Sequence, residues 1–173
     1  MVDLMYREGV ANKVTERGLH VIKQWERFRA NDYNDGAVKS KGFGHSQHLT
    51  TVPFDEGKPW TLEYASEVLL LDLEYFGNLL RPHLKIDVPD EIWSICLSLS
   101  YNKGVGRLVR SEEWQILHDG GEYHLERFCE AILKYAVHAP NKTTGDMEEK
   151  RGLRWRRIAE AGIFMQDRFK DYL

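Results

Sequence analysis

The stretch 19–48 changes its hydrophobic period part of the way along, and this change constrains the fold more than any other feature of the chain. Apolar residues first recur at three-residue spacing, at Leu19, Ile22 and Trp25. This spacing predicts the apolar face of a helix over 15–29. The helical period is then lost, so the next residues must form a different kind of structure.

Glycine-containing turns lie on the C-terminal side of this helix. An Asp-Gly pair at 35–36 and a Gly-Phe-Gly triplet at 42–44 are strong turn signals. Next to them, 37–41 and 47–52 are predicted as short strands of a small sheet. The first part of the chain is therefore expected to form a lobe of one helix and one hairpin sheet, over 15–59.

The longest helical pattern lies at 60–82 and is interpreted as a connector between two lobes. Thr61 is placed to cap this helix, and Pro82 ends it because proline cannot continue a helix. Apolar residues cover two sides of the helix, and a helix of that kind is predicted to be buried between two bodies. The second apolar side consists of Val68, Leu71, Tyr75 and Leu79.

Helical patterns continue to the end of the chain, so we predict an α+β fold that is mostly α. The predicted helices cover about 89–101, 111–118, 122–137 and 150–170, and a polar loop covers 138–149. We expect a single domain over 1–173, organised as the small lobe 15–59, the connector 60–82 and a helical lobe 83–173.

The composition is that of a globular protein with no basic excess. Of 173 residues, 42% are hydrophobic and 29% are charged, and the net charge of -3 does not suggest a nucleic-acid partner. Cys96 and Cys129 each lie in an apolar helical pattern and are predicted to be buried free thiols. The N-terminal residues contain no apolar run long enough for a signal peptide or a membrane helix, so no stable membrane association is expected.

Two carboxylates in the small lobe point to chemistry. Glu26 borders the apolar helix face, where Trp25 and Phe28 partly desolvate it and favour the protonated form that a general acid needs. Asp35 comes nine residues later on an exposed turn, where it is expected to stay ionised. Two carboxylates across a gap are what glycoside hydrolysis requires. Considered alone, each also fits an ordinary helix-end or turn residue.

His45 and His48 lie three residues apart and raise the question of a metal site. A zinc site needs further ligands in a fixed geometry. Neither an HExxH motif nor a cysteine pair supplies them, so no metal and no other cofactor is predicted.

Several motifs occur in an order that is typical of one family. They are Tyr-x-Asp at 33–35, GFGH at 42–45, YNKG at 101–104, and GLRWRR at 152–157 with Glu160 after it. With these motifs, over 19–165, the chain resembles the phage-type lysozymes, the endolysins of glycoside hydrolase family 24. The resemblance implies a two-lobed, lysozyme-like fold with a glycan cleft between the lobes. It also implies hydrolysis of the β-1,4 bond between N-acetylmuramic acid and N-acetylglucosamine in peptidoglycan.

The resemblance also implies catalytic roles. Glu26 corresponds to the general acid, Asp35 to the base or electrostatic partner, and Ser40 to a threonine that helps to hold the attacking water. The chain departs from the family pattern in three ways: Arg27 stands where glycine is usual, the hairpin is one residue shorter, and serine replaces threonine. A register shifted by one residue would bring Lys41 to the water-holding position instead.

Further residues are implied as structural support. The resemblance implies that one arginine of the last helix points inward and pairs with Glu26. Helical spacing allows this arginine to be Arg156 or Arg157, and we favour Arg156. His45 is expected to be a hydrogen-bonded partner of Asp72 on the connector helix, which would tie the hairpin to that helix.

Predicted glycan contacts are Phe43, Asn102 and Tyr135. Asn102 ends a buried helix at the expected cleft wall, where it fits either a bond to a sugar N-acetyl group or a plain C-cap. Three tryptophans are predicted to be core residues rather than sugar platforms: Trp25, Trp93 and Trp155.

Three functions remain to be compared. The first is a phage or prophage endolysin that hydrolyses the cell wall during host cell lysis, with inversion favoured by the family. We would then expect a monomer that is held in the host cytoplasm until a holin releases it to the wall in the periplasm. The second is a lytic transglycosylase, which works with one acid; Asp35 and Ser40 argue against it. The third is a wall-binding module that has kept the fold and lost activity.

Overall fold

The structure is a computed structural model that describes residues 12–141 and 143–165. The helices in these ranges are α1 (Glu16–Glu26), α2 (Leu62–Leu80), α3 (Asp90–Lys103), α4 (Val105–Leu108), α5 (Glu112–His118), α6 (His124–Tyr135) and α7 (Arg151–Met165). The strands are β1 (Arg29–Asp35), β2 (Val38–Gly42), β3 (His45–Ser46), β4 (His138–Pro140) and β5 (Met147–Glu149). The predicted mixture of a mostly helical chain and a small sheet is confirmed.

α1 begins and ends for identifiable reasons. The Thr15 hydroxyl caps it by accepting a hydrogen bond from the backbone N–H of Gly18 at 3.0 Å. The helix ends at Glu26, three residues earlier than predicted, because Arg27 adopts a positive φ of 56°. The Arg27 N–H still bonds to the carbonyl of Lys23 at 3.1 Å, which closes the last turn. Glu26 is therefore the final helical residue, at the point where the chain turns toward the sheet.

The small sheet has the order β1-β2-β3 with antiparallel pairing throughout. β1 was not predicted, because its polar sequence lacks the alternation of apolar residues that marks a half-buried strand. The predicted strand over 47–52 is wrong, since the strand after the glycine turn is limited to His45–Ser46. The predicted loop 138–149 contains a second antiparallel pair, β4 and β5.

The connector α2 is buried on one side only. Its core side includes Val68, which packs into the main apolar cluster of the protein. The prediction of a second buried side is wrong for Leu71, Tyr75 and Leu79, which are all exposed. The small sheet approaches α2 near Ala65 and Asp72 and so does not cover this second side.

α3 is the centre of the helical lobe, and all nine residues of 92–100 are buried. It ends at Gly104, which has a φ of +83° that favours glycine. Cys96 and Cys129 are free and buried, as predicted, and burial raises the pKa of both thiols. α7 packs against α1, α3 and α6. Within the described ranges, no helix combines the length and the apolar character needed to cross a membrane.

Candidate active site

The carboxylate of Glu26 lies between α7 and the turn after β2. Its Oε1 atom is 2.7 Å from Nη2 of Arg156, so the predicted contact with the last helix is confirmed. A β-carbon built at Gly44 would lie 3.5 Å from Glu26 Oε2 and 3.5 Å from the ring of Tyr101. The side chain of Glu26 keeps 18% of its surface exposed, so a substrate has access to it.

Asp35 and Ser40 lie on one face of the β1–β2 hairpin. Tyr33 is paired directly with Ser40 in the register, and Asp35 is paired with Val38. Because side chains two residues apart on a strand point to the same side, Tyr33, Asp35 and Ser40 share a face. Asp35 is exposed, whereas Ser40 is only 3% exposed.

The pKa of the Tyr33 phenol is affected by the charges of both carboxylates. Its pKa is raised, first by burial and then by the negative charge of Asp35, while Arg29 opposes the shift and Glu26 adds to it. A hydrogen bond with Ser40 lowers the pKa of this phenol slightly. The charges of both carboxylates therefore act on the same phenol.

The alternative register, with Lys41 in place of Ser40, does not occur. Lys41 points to the opposite face of β2, where it is completely buried and its Nζ is 2.8 Å from Oδ1 of Asp32. The same ammonium donates hydrogen bonds to the backbone carbonyls of Asp55 at 2.8 Å and Lys58 at 3.1 Å. The Lys41 contact, and after it the backbone N–H of Gly57, lowers the pKa of Asp32.

A second group of charges supports Glu26 from α7. Arg156 Nε donates to Oε1 of Glu160 at 2.9 Å, and Arg157 also donates to Glu160. The other edge of Arg157 donates to Oδ1 of Asn102. Sequence reasoning treated Glu160 only as part of a motif. Its position four residues after Arg156, beside a predicted inward face, was the signal for this pairing.

The hairpin is tied to the connector by the predicted contact between His45 and Asp72. His45 Nδ1 lies 2.9 Å from Oδ2 of the completely buried Asp72, and the hydroxyl of Thr51 donates to the same carboxylate. Tyr101 donates a hydrogen bond to the carbonyl of Phe43 at 3.0 Å and so joins α3 to the same turn. Burial, and then the charge of Asp72, raise the pKa of Tyr101 well above its usual range.

The predicted glycan contacts have different environments. Phe43 is 5% exposed and packs against Phe28, so its side chain is a core residue and this prediction is wrong. Asn102 is exposed near the end of α3, and Tyr135 is half-buried at the end of α6. Trp155 is 41% exposed, which corrects the prediction that it belongs to the core.

A concave region lies elsewhere, between α2, α3 and residues 12–14, with a volume of about 470 Å³. Its floor is apolar, with Leu73, Trp93 and Leu97 among the described residues that line it, and its rim includes Glu74. It does not bring together the facing carboxylates that glycoside chemistry needs. The chemistry of the side chains therefore favours the surface around Glu26 and Asp35 as the active site.

Comparison with known proteins identifies the family to which the chain belongs. A family model described as phage lysozyme matches residues 23–160. The endolysin from the Escherichia coli O157:H7 phage FAHEc1 has a TM-score of 0.73 and 24% identity, over 90% of this chain and 95% of that chain. The muramidase domain of SpmX from Asticaccaulis excentricus has a TM-score of 0.76 and 19% identity, over 90% and 99%.

A third solved structure, the active form of the P1 phage endolysin Lyz, has a TM-score of 0.64 and 21% identity, over 87% of this chain and 83% of that chain. At these identities the three structures demonstrate a shared fold. A search of curated protein sequences gives no match. Because the family model covers well over half of its length, this chain belongs to the phage lysozyme family and is a glycoside hydrolase of the muramidase type.

Proposed function

We propose that this protein is an endolysin that hydrolyses the β-1,4 bond between N-acetylmuramic acid and N-acetylglucosamine in peptidoglycan. The observation that carries the proposal is the Glu26 carboxylate at the end of α1, whose Oε1 lies 2.7 Å from Nη2 of Arg156 while 18% of the side chain stays exposed. Asp35 shares a face of the β1–β2 hairpin with Tyr33 and Ser40. Glu26 is largely enclosed by protein and Asp35 is open to solvent. Different surroundings of this kind separate the acid and base roles of a carboxylate pair.

In the proposed reaction, Glu26 donates its proton to the glycosidic oxygen as the bond to the leaving sugar breaks. Arg156 then stabilises the carboxylate that remains. Asp35, which is exposed on the hairpin, stabilises the positive charge that develops at the anomeric carbon and accepts a proton from the attacking water. Ser40 contributes a hydroxyl that both donates and accepts, which suits it to hold that water beside Tyr33.

The water attacks from the side opposite to the leaving sugar, so we propose that the configuration at the anomeric carbon is inverted. We also propose that the protein acts as a monomer, is held in the bacterial cytoplasm until a holin releases it, and then lyses the wall. The structural similarity to proteins described as phage endolysins supports the proposed role in wall lysis.

The test is digestion of purified peptidoglycan and mass spectrometry of the soluble fragments. We expect fragments with N-acetylmuramic acid at a hydrated reducing end, and the α-anomer as the first product seen by proton NMR. Anhydro ends would instead identify a lytic transglycosylase. Binding to the wall without soluble products would identify a module without activity, and either result would overturn the proposal.

A further inference from the structure

Glu160 on α7 is a completely buried carboxylate that is surrounded by donors. Arg156 Nε donates to its Oε1 at 2.9 Å, and Arg157 Nη1 donates to its Oε2. The hydroxyl of Ser98, on α3, donates to Oε1 at 2.5 Å. Both carboxylate oxygens of Glu160 thus accept hydrogen bonds. Any effect of Glu160 on the active site must therefore act through the arginines that it binds.

Both arginines extend beyond Glu160 toward the proposed active site. Arg156 Nη2 is 2.7 Å from Oε1 of Glu26, and Arg157 donates to Oδ1 of the exposed Asn102. The Glu160 carboxylate therefore holds the guanidinium groups of both arginines. The Nη2 atom of Arg156, at the other end of its guanidinium group, contacts Glu26, the proposed acid. A planar guanidinium that is held at one edge has little freedom left at the other.

The charges of this cluster balance, since two arginines face Glu26 and Glu160. Burial by itself lowers the pKa of Arg156, but the charges of Glu160 and then Glu26 outweigh it, so the pKa of Arg156 is raised. Of the two carboxylates, Glu160 has the larger effect on Arg156. Without the charge of Glu160, Glu26 would be the remaining carboxylate paired with either of these two buried cations among the described residues, and their charge would favour its ionised form.

We propose that Glu160 is a positioning residue for the hydrolytic reaction and acts on Glu26 through Arg156. It aims Arg156 at Glu26, and it neutralises enough positive charge for Glu26 to hold and donate a proton. The inference rests on the proposed function, because it requires Glu26 to be the acid. Among the described residues, Glu26 is paired with Arg156 of α7, and its charge raises the pKa of Tyr33 of β1 and of Tyr101 of α3.

The test is Glu160→Gln, which keeps the size of the side chain and one carbonyl oxygen but removes the charge. We expect kcat on peptidoglycan fragments to fall about tenfold or more while KM changes less than about twofold, because an interaction with the reacting acid is lost and substrate binding is not. We also expect the alkaline limb of the pH profile of kcat to move to lower pH. Glu160→Asp keeps the charge and is expected to keep the wild-type pH profile.

The matched control is Glu113→Gln. Glu113 is also buried, at 2% exposure, and forms an ion pair with Lys103, but its pairing is separate from the contacts of Glu26. This variant should lose stability while keeping kcat and the pH profile. A purely structural role for Glu160 would make the two variants behave alike.

A folded Glu160→Gln variant with wild-type kcat and pH profile would overturn the inference. If that variant does not fold, Ser98→Ala removes one donor to Glu160 and a neighbour of Arg156 Nη2 at 3.3 Å. A fall in kcat with unchanged KM would then support the inference, and an unchanged kcat would overturn it. Failure of the wild-type protein to cleave peptidoglycan would instead remove the proposed function itself.

Discussion

Arg27 occupies a backbone conformation that is unfavourable for any residue with a β-carbon. Its φ is +56°, directly after the last residue of α1, and its side chain is exposed. The resemblance to the phage-type lysozymes implies glycine at this point, and glycine adopts a positive φ without steric strain. Arg27→Gly should therefore relieve strain without removing a buried contact.

The expected gain results from two opposing effects. A residue held in a sparsely populated φ/ψ region is destabilised by about 1–3 kcal/mol. Glycine loses more conformational entropy on folding, which costs about 0.5–1 kcal/mol. The net increase in the free energy of unfolding is therefore about 1 kcal/mol, and for a chain of this length it corresponds to a rise in Tm of about 3 °C.

Thermal unfolding monitored by circular dichroism measures this change, with urea unfolding as a second measurement. The matched control is Arg27→Ala, which removes the charge and the long side chain but keeps the β-carbon. Its Tm should stay close to that of the wild type. A lower stability of Arg27→Gly, or an equal gain in Arg27→Ala, would refute the explanation by backbone strain.

Further predictions concern the hairpin. The pKa of Asp32 in the folded protein is lowered from its ordinary value of 3.8. Its ion pair therefore stabilises the fold fully at pH values above 3.8, and this stabilisation is lost as the pH falls through the lower pKa of the folded state. Asp32→Asn should destabilise the protein at neutral pH, because Lys41 stays buried without this counter-charge. The Tm of the variant should also depend less on pH than the wild-type Tm does at pH values below 3.8. Wild-type acid sensitivity in this variant would contradict the pairing. Gly44→Ala and Gly57→Ala place alanine at φ values of +93° and +79°, so both should lower Tm. Of these two variants, only Gly44→Ala adds a methyl group 3.5 Å from Glu26 Oε2. A wall-lysis assay should therefore show a loss of activity in Gly44→Ala and not in Gly57→Ala. Equal activities of the two variants would contradict the placement of Glu26.

The parts of the fold that were predictable are those set by local chemistry. Thr15 and Ser111 cap helices because their hydroxyls accept from backbone N–H groups three residues later. Gly104 ends α3 because it reaches a positive φ without strain. These signals depend on residues a few positions apart, so they can be recognised in the sequence without knowledge of the tertiary structure.

The parts that were missed depend on neighbours that are distant in the chain. β1 is polar and becomes a strand only because β2 pairs with it. The exposed side of α2 has the same pattern as its buried side, and only the packing of the lobes distinguishes them. The buried pair of Lys41 and Asp32 breaks the rule that charged residues lie outside, and it is found only when both strands are in register.

The candidate site was predictable to a similar degree. The resemblance to the phage-type lysozymes implied the roles of Glu26, Asp35 and Ser40 and an arginine of the last helix beside Glu26, for which helical spacing allowed Arg156 or Arg157. The full set of donors around Glu160 could not be predicted, because Ser98 belongs to α3 and reaches this carboxylate only through the packing of α7 against α3.

The most direct test of the proposed chemistry is the lysis of permeabilised cells by Glu26→Gln, compared with Glu16→Gln. Glu16 lies in the first turn of the same helix and is exposed, so its variant controls for the loss of one negative charge from α1. We predict that both proteins fold, that Glu16→Gln lyses cells at the wild-type rate, and that Glu26→Gln shows no measurable lysis. Lysis by a folded Glu26→Gln protein would contradict the assignment of Glu26 as the acid.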